Sequence, residues 1–502
     1  MTTTPTGAEA ATEQYQLKRH SLGVAGIVFF VMSAAAPLAA TLGSAPITFG
    51  ATGQGAPGAY LLVGIVLLCF AAGYAAMSRH VTSSAGFAAY IERGLGRVAG
   101  FAGATTAVFS YVLMLIGIYG AFGYFTRAIV LQRLHVDLPW GFWALAAVAV
   151  VAVLGYVEVN LSAKVLGVLM VAEMALLVAF DVVTPAQGGA DGVSLAAFAP
   201  ANVFHGDVGI AILFAAASFI GFEATAIYGE EAREPRKTVP RATYTAVISI
   251  CAFYAITTWA IGLAYKSNEV QGTAAKDPAN FVLAANTRFV GQWSTGILNV
   301  LLITSYFATL VAFHNTIARY MYSLGRGGVL PSPLRRTHRR WQSPHVASVA
   351  GSLVTTIVVA AFVIGGADPF LQMFAWLTGL GTVGVLVLQA STSVSAIVFF
   401  RRQRVRVNTW SGTVAPLLGA VGIVTAIVLA VVKWKTFTGA TGGFGAQMPW
   451  LLVAAALAGL LLAWVKRHTV RTISAGFAEN GTTRPEAPVS GIAVPAPSED
   501  AP

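Results

Sequence analysis

The chain has 502 residues, of which 56% are hydrophobic and 10% charged, with a mean hydropathy of +0.71. So much apolar surface cannot be hidden in a water-soluble core, which argues against a soluble enzyme or nucleic-acid binder, and two cysteines make no disulfide scaffold. An all-helical integral membrane protein remains, in which 52 glycines let helices approach and 10 tryptophans anchor the interfaces.

The segment 1–20 is polar and ends in Lys18-Arg19-His20, and the apolar run after it has no small-residue cleavage pattern, so it reads as a retained first helix. A membrane span needs about 20 apolar residues. Windows of that kind fall near 22–50, 58–77, 99–126, 139–157, 164–184, 207–229, 240–265, 294–323, 345–364, 370–399, 413–432 and 448–465, about 12 in all. Between them, the loop 78–98 is expected to carry a short amphipathic helix at the inner interface, and 185–206 and 266–293 are the long outer connections. From about 473 to 502 the composition turns to Ala, Pro, Glu, Thr and Ser, which predicts a disordered tail.

The net charge of +11 is explained by topology. Placing both termini in the cytoplasm puts about 24 of the 31 Lys and Arg on the inner side, as the positive-inside rule asks, so the basic loops need no nucleic-acid partner.

Two spans carry signs of interruption. The first is longer than a bilayer requires and holds Ser33-Ala34-Ala35-Ala36-Pro37 near its middle; proline lacks an amide hydrogen and drives the preceding residue out of the helical region, so Ala36 is the expected break, with an ordinary kink as the alternative. The sixth holds Ser218-Phe219-Ile220-Gly221-Phe222-Glu223, in which a glycine precedes a carboxyl near mid-membrane. An acid there is costly, and serves either function or helix packing. Five spans separate the two interruptions, a spacing expected of a transporter with inverted repeats and a binding site at the breaks.

These residues resemble the amino acid-polyamine-organocation permeases. The most specific stretch is GFEATAIYGEEAREPRKTVPRA at 221–242, supported by SSAGFAAYIERGLGRVAGF at 83–101 and ARYMYSLGRGGVLP at 318–331. The resemblance implies a leucine-transporter-like fold of 5 + 5 inverted repeats, spanning 21–184 and 206–400, with two further helices over 410–466. It also implies alternating access, with helices 1, 2, 6 and 7 rocking against 3, 4, 8 and 9. Two departures stand out. Alanines and Pro37 replace the family's Gly-Ser-Gly type of break, and Glu173 stands on helix 5 where many members carry a lysine. A carboxyl there is expected to take a proton or, with the hydroxyls of Thr304 and Ser305, a sodium ion; the alternatives are a structural acid and hydroxyls bonded back to their own helix.

The expected substrate site is therefore Ser33, Ala34, Ala35, Ala36 and Pro37 with Ser218, Phe219, Ile220, Gly221 and Phe222, either phenylalanine serving as a gate. Tyr111, Tyr119, Tyr306 and Trp376 are candidates for its walls, packing being the alternative. Glu173 and Glu223 are the candidate proton-coupling acids, and His314 with Asn315 a candidate interhelical bond. No metalloprotease, phosphate-loop or Cys-x-x-Cys motif occurs, so neither catalysis nor a cofactor or metal is expected. Buried acids without a buried cation favour neutral or cationic amino acids, then polyamines. The leading expectation is a secondary transporter coupled to protons or working by exchange; sodium coupling, a channel and a sensor on the same fold are the rivals.

Overall fold

The structure is a computed structural model, and it describes residues 22–81, 85–157, 163–227, 232–439 and 443–467. The segment 1–20, the tail from 473 and the acidic pair Glu230-Glu231 of the quoted motif lie outside the described residues, as do the side chains of Ser33, Ala34 and Lys164. Among the described residues the secondary structure is helical apart from one isolated bridge between Leu22 and Ala232.

The first apolar window is two helices, α1 (Val24–Ala35) and α2 (Pro37–Thr52), joined through Ala36. Pro37 forbids the helical conformation to its predecessor, and Ala36 takes φ 42° and ψ 75°, a left-handed geometry that a β-carbon makes unfavourable. The Ala36 amide still reaches the Met32 carbonyl at 2.9 Å, and Pro37 opens α2 at the position where its fixed φ suits a helix start. A single turn over Gly53–Gly55 then leads into α3 (Ala56–Ser78). The continuous run Pro37–Ser78 has 42 residues. Straight, it would be about 63 Å long, twice the hydrocarbon thickness; it turns at Gly53, whose φ of 60° favours glycine.

The loop after α3 does hold a short helix, α4 (Gly86–Leu95). It differs from the expected interfacial helix: Phe87, Ala88, Ala89, Tyr90 and Ile91 are all buried against neighbouring helices. There follow α5 (Arg97–Leu134), α6 (Trp140–Val157), α7 (Ala163–Ala186), α8 (Val208–Phe219) and the short α9 (Ala224–Ile227). Next come α10 (Pro235–Leu263), the shorter helices α11 (Val270–Lys276) and α12 (Pro278–Phe289), α13 (Gln292–Arg326) and α14 (His345–Ile364). A π-helical segment over Pro369–Trp376 opens α15 (Leu377–Arg402), and α16 (Ala415–Val432) and α17 (Pro449–Val465) complete the order.

By length and composition, ten described helical runs can cross a membrane, the turned run Pro37–Ser78 being one of them, and α17 is a shorter apolar helix. Their burial follows position in the bundle. The run Val208–Ala226 is almost wholly enclosed by protein, whereas α7 and α14 keep most of their surface outward. Those outer helices expose Val, Ile and Leu, the apolar surface expected of a membrane-spanning helix. On α7 the inward stripe is Glu173, Leu177, Phe180, Asp181 and Thr184, at helical spacing.

Candidate functional site

The second interruption mirrors the first in chemistry. Helix α8 stops at Phe219, Ile220 is extended (φ −62°, ψ 135°), and Gly221 has φ 118°, which disfavours any residue with a β-carbon. The ladder is then rebuilt by short-range bonds, from the Ala224 amide to the Gly221 carbonyl and from Ala226 to Glu223. Glu223, 1% exposed, closes the break. Its Oε2 accepts from the Gly221 amide at 3.0 Å and its Oε1 from the Tyr111 hydroxyl at 2.7 Å, while the Tyr74 hydroxyl donates to its main-chain carbonyl at 2.7 Å.

Between the two interruptions lies a small cavity of about 50 Å³. Its walls are Ala35, Ala36, Ala39, Ala40 and Ser44 of the broken first span, Met114 and Ile118 of α5, and Ala217, Ser218 and Ile220 of the second break. Tyr306, Thr309 and Phe313 of α13, with Phe374 and Thr378, close it. No charged side chain lines it. Gly43 lets the far wall come close: a β-carbon there would stand 2.8 Å from the Tyr306 hydroxyl and 3.0 Å from the Phe374 ring. Tyrosine hydroxyls tie the breaks in place, Tyr254 donating to the Ala35 carbonyl at 2.8 Å and Tyr306 to the Ala39 carbonyl at 3.3 Å, with Tyr60 3.3 Å from the Ser218 hydroxyl.

Of the residues expected at the site, Ala35, Ala36, Ser218, Ile220 and Tyr306 line this cavity. Pro37 and Gly221 act through the backbone. Phe219 and Phe222 are turned away from it; the former packs on Tyr254 with ring centres 6.0 Å apart, the latter edge-on to Phe70 at 5.9 Å. Tyr111 is engaged with Glu223, Tyr119 is buried within α5, and Trp376 sits half-buried at the end of the π-helical segment outside the cavity wall. His314 makes the interhelical contact, its Nε2 2.8 Å from the Ser348 hydroxyl, and Asn315 beside it is half-buried.

Glu173 lies apart from Glu223, in a second, smaller cavity with Ala36, Leu169, Met170, Thr304, Ser305 and Ala308. Ala36 is thus a wall of both cavities. The Ser305 side chain and the Leu38 amide approach the Glu173 carboxyl, yet the Ser305 hydroxyl completes no hydrogen bond of good geometry. Thr304 does bond back to its own helix, donating to the Leu301 carbonyl at 2.8 Å; Ser305 does not. Among the described residues no group of three His, Cys, Asp or Glu side chains could hold a metal.

The family model described as amino acid permease matches residues 26–471, from α1 to just past α17. The chain belongs to the amino acid permease family. Among its relatives, an uncharacterized transporter of Mycobacterium tuberculosis is 25% identical over 57% of this chain and 60% of its own length. A branched-chain amino acid permease of Lactococcus lactis is 26% identical over 39% of this chain and 38% of its own length. A low-affinity putrescine importer of Escherichia coli is 24% identical over 59% and 65%. The chain thus matches less than two thirds of the length of each. Membership places the chain among multi-pass membrane permeases, and the apolar helices agree.

Several lining residues of this permease escaped the sequence reading: Ser44, Met114, Ile118, Thr309, Phe313, Phe374 and Thr378. Their signal was periodic. Met114 with Ile118, and Phe374 with Thr378, are pairs four apart on one face, and Thr309 and Phe313 continue from Tyr306 and Ser305. Asp181 was also missed: it falls inside the window 164–184, three residues from its end, and is buried.

Proposed function

We propose that this chain is a secondary active transporter of small neutral amino acids, working by alternating access in a fold of two inverted repeats with about 12 spans. The observation that carries the reading is the uncharged cavity between the two interrupted spans, sharing the Ala36 wall with the cavity that holds Glu173. Broken helices leave backbone dipoles to meet the α-carboxylate and α-ammonium, as their termini do for charged groups elsewhere. The alanines, Met114, Ile118, Phe313 and Phe374 suit an apolar side chain. Glu223 already accepts from Tyr111 and Gly221, which leaves a second ammonium, as in a diamine, without an acid on the cavity wall. The name of the branched-chain permease supports this choice, and that of the putrescine importer supports amines as the next class.

Proton coupling through Glu173 follows from burial. A carboxyl 3% exposed in a membrane helix is costly when charged, so substrate movement that reshapes the Ala36 wall changes the cost of its proton. A sodium ion is the second reading, because the open Ser305 hydroxyl and Thr304 stand with Glu173 as oxygen ligands. The purified chain in proteoliposomes, offered leucine, alanine, lysine, glutamate and putrescine under separate pH and sodium gradients, tests both. Accumulation of neutral amino acids on a pH gradient alone is expected. Accumulation on sodium alone selects the second reading; flux without accumulation indicates a channel, and binding without flux a sensor.

A further inference from the structure

Asp181 has no part in the mechanism so far. It stands on the inward stripe of α7, two turns from Glu173, 8% exposed. Its Oδ2 accepts from the Thr257 hydroxyl of α10 at 2.7 Å, while its Oδ1 has no partner. One turn further, Thr184 is wholly buried and its hydroxyl is equally without a partner. Three of the five inward side chains of this lipid-facing helix are therefore polar, and two of them keep an open hydrogen-bonding atom. Packing alone would be served better by apolar groups, since an unmatched buried polar atom destabilises.

The facing stripe of α10 is polar too, with Tyr254, Thr257 and Thr258 buried. Tyr254 reaches the Ala35 carbonyl at the first break, close to the Leu38 amide that approaches Glu173. At the opposite end of the seam, the Ala190 amide bonds the Leu263 carbonyl at 2.8 Å where the two helices finish. A polar cavity of about 260 Å³, lined by Gln54, Asp191, Ser194, Leu263, Trp259 and Ser267, adjoins that end.

We infer that Asp181 is a proton relay for this transporter, exchanging protons with the polar cavity at the ends of α7 and α10 and passing them along the α7–α10 seam to Glu173. The inference rests on the proton-coupled reading above. Eight residues separate the two acids, about 12 Å along the helix, so the transfer runs through hydroxyl groups and water in the seam. The Asp181 acid gives up its O–H proton and the Glu173 carboxylate gains one; only O–H bonds change, and the seam keeps its charge.

Little else titrates against it. Among the elements packed on α7, namely α1, α2, α10, α12 and α13, the first two carry no titratable side chain. On α12 the titratable group is Arg288, which donates to the Ala264 carbonyl. Those of α10 are Tyr254 and Cys251 with Arg236, Lys237, Arg241 and Tyr244 towards its start, and those of α13 are Tyr306, His314, Arg319, Tyr320, Tyr322 and Arg326. Thr257 is the polar side chain that acts on the Asp181 carboxyl.

The test compares wild type, Asp181→Asn, Asp181→Glu and Glu173→Gln in proteoliposomes, with leucine as the probe. Two rates are read: accumulation on an imposed pH gradient, across a series of external pH values, and exchange with preloaded leucine at equal pH. Asp181→Asn is expected to lose gradient-driven accumulation at least about tenfold and to flatten its pH profile, while exchange stays within about threefold and Asp181→Glu restores the profile. If Asp181→Asn accumulates with an unchanged profile, the relay is wrong while the coupling reading stands. If it loses exchange and accumulation alike and Asp181→Glu restores neither, Asp181 only fastens α7 to Thr257, and the relay is again wrong. A wild type that ignores the pH gradient, or a Glu173→Gln variant that still accumulates on it, overturns the coupling reading and the relay with it.

Discussion

The Tyr111 hydroxyl donates to Glu223 Oε1 at 2.7 Å, and so pins α5 to the interruption between α8 and α9. The same carboxyl accepts from the Gly221 amide at 3.0 Å, so both of its oxygens serve the break and neither lines the cavity. Around it the aromatic rings of Tyr74, Phe70, Phe87 and Tyr90 form one packed group, with Tyr74 and Tyr90 centred 5.0 Å apart. Removing the phenolic oxygen in Tyr111→Phe leaves the ring packing but strips Oε1 of its donor. A loss of about 1–3 kcal/mol is expected, read as a lower melting temperature of the purified protein. Because Tyr111 stands off the cavity wall, KM for leucine uptake should change by less than about threefold while the maximal rate falls.

The two breaks should respond oppositely to a β-carbon. Gly221 has φ 118°, and Gly221→Ala is expected to cost about 1–3 kcal/mol and most of the uptake. Ala36 already bears the strain of φ 42°. Ala36→Gly relieves about 1–2 kcal/mol of it and is expected to leave a folded, transporting protein. Pro37→Ala removes the constraint that puts Ala36 there, and uptake should fall as α1 and α2 join more smoothly. Melting curves with uptake assays on the three variants check the pattern; an inactive Ala36→Gly beside an active Gly221→Ala would contradict it.

How far the site could be read from sequence depends on which kind of physics placed each residue. Pro37 and Gly221 were legible because backbone chemistry acts locally: proline excludes the helix from Ala36, and glycine alone takes φ 118° easily. Glu173 was legible as an acid in an apolar window. Asp181 is also buried, but near the end of its window an acid looks like a helix terminus, and only the α10 partner Thr257 reveals its depth. Phe219 and Phe222 were expected at the cavity on sequence proximity, whereas the rotation of the chain through Ile220 and Gly221 turns them into the packing of Tyr254 and Phe70. The rings that do line it, Phe313 and Phe374, come from distant helices and needed the tertiary arrangement. The helix expected over 78–98 exists as α4, but neighbouring helices, which no local window contains, cover it.

The uncharged cavity wall sets a selectivity order. Leucine and alanine should compete for uptake best, lysine and putrescine less well, and glutamate least, since an added charge on the substrate meets no opposite side chain on the wall. Replacing Ile118 with Ala enlarges the apolar end and should improve competition by phenylalanine relative to alanine by a few fold, roughly 1–3 kcal/mol at most. Competition against radiolabelled leucine measures the order. Displacement by aspartate or glutamate better than by every neutral or basic compound would show that the wall does not select by charge.

Orientation can be tested at two exposed serines, Ser267 beyond α10 and Ser332 beyond α13. By the positive-inside rule, the excess of Lys and Arg on the side of Arg335, Arg336, Arg339 and Arg340 predicts that this side faces the cytoplasm. Single cysteines at the two positions, in a background where Cys69 and Cys251 are replaced, should be labelled in sealed cells by a membrane-impermeant maleimide only at position 267. Permeabilised cells should label both. Equal labelling in sealed cells refutes the placement.

The coupling ion is decided at Ser305. If Glu173 carries a proton, the neighbouring Ser305 hydroxyl, which completes no hydrogen bond, is dispensable, and Ser305→Ala should leave accumulation on a pH gradient within about threefold of wild type. If Glu173, Thr304 and Ser305 hold sodium, Ser305→Ala removes a ligand of a hard cation, and the sodium concentration for half-maximal uptake should rise at least about tenfold. Glu173→Gln sharpens the contrast, because an amide oxygen can still coordinate a cation weakly but the amide cannot carry a proton. Under the proton reading, Glu173→Gln abolishes accumulation on a pH gradient yet keeps leucine exchange, since the substrate cavity meets the Glu173 cavity only through the Ala36 wall. The outcome that defeats the proton assignment is a Glu173→Gln variant that accumulates leucine when sodium is supplied and a Ser305→Ala variant that requires more sodium to do so.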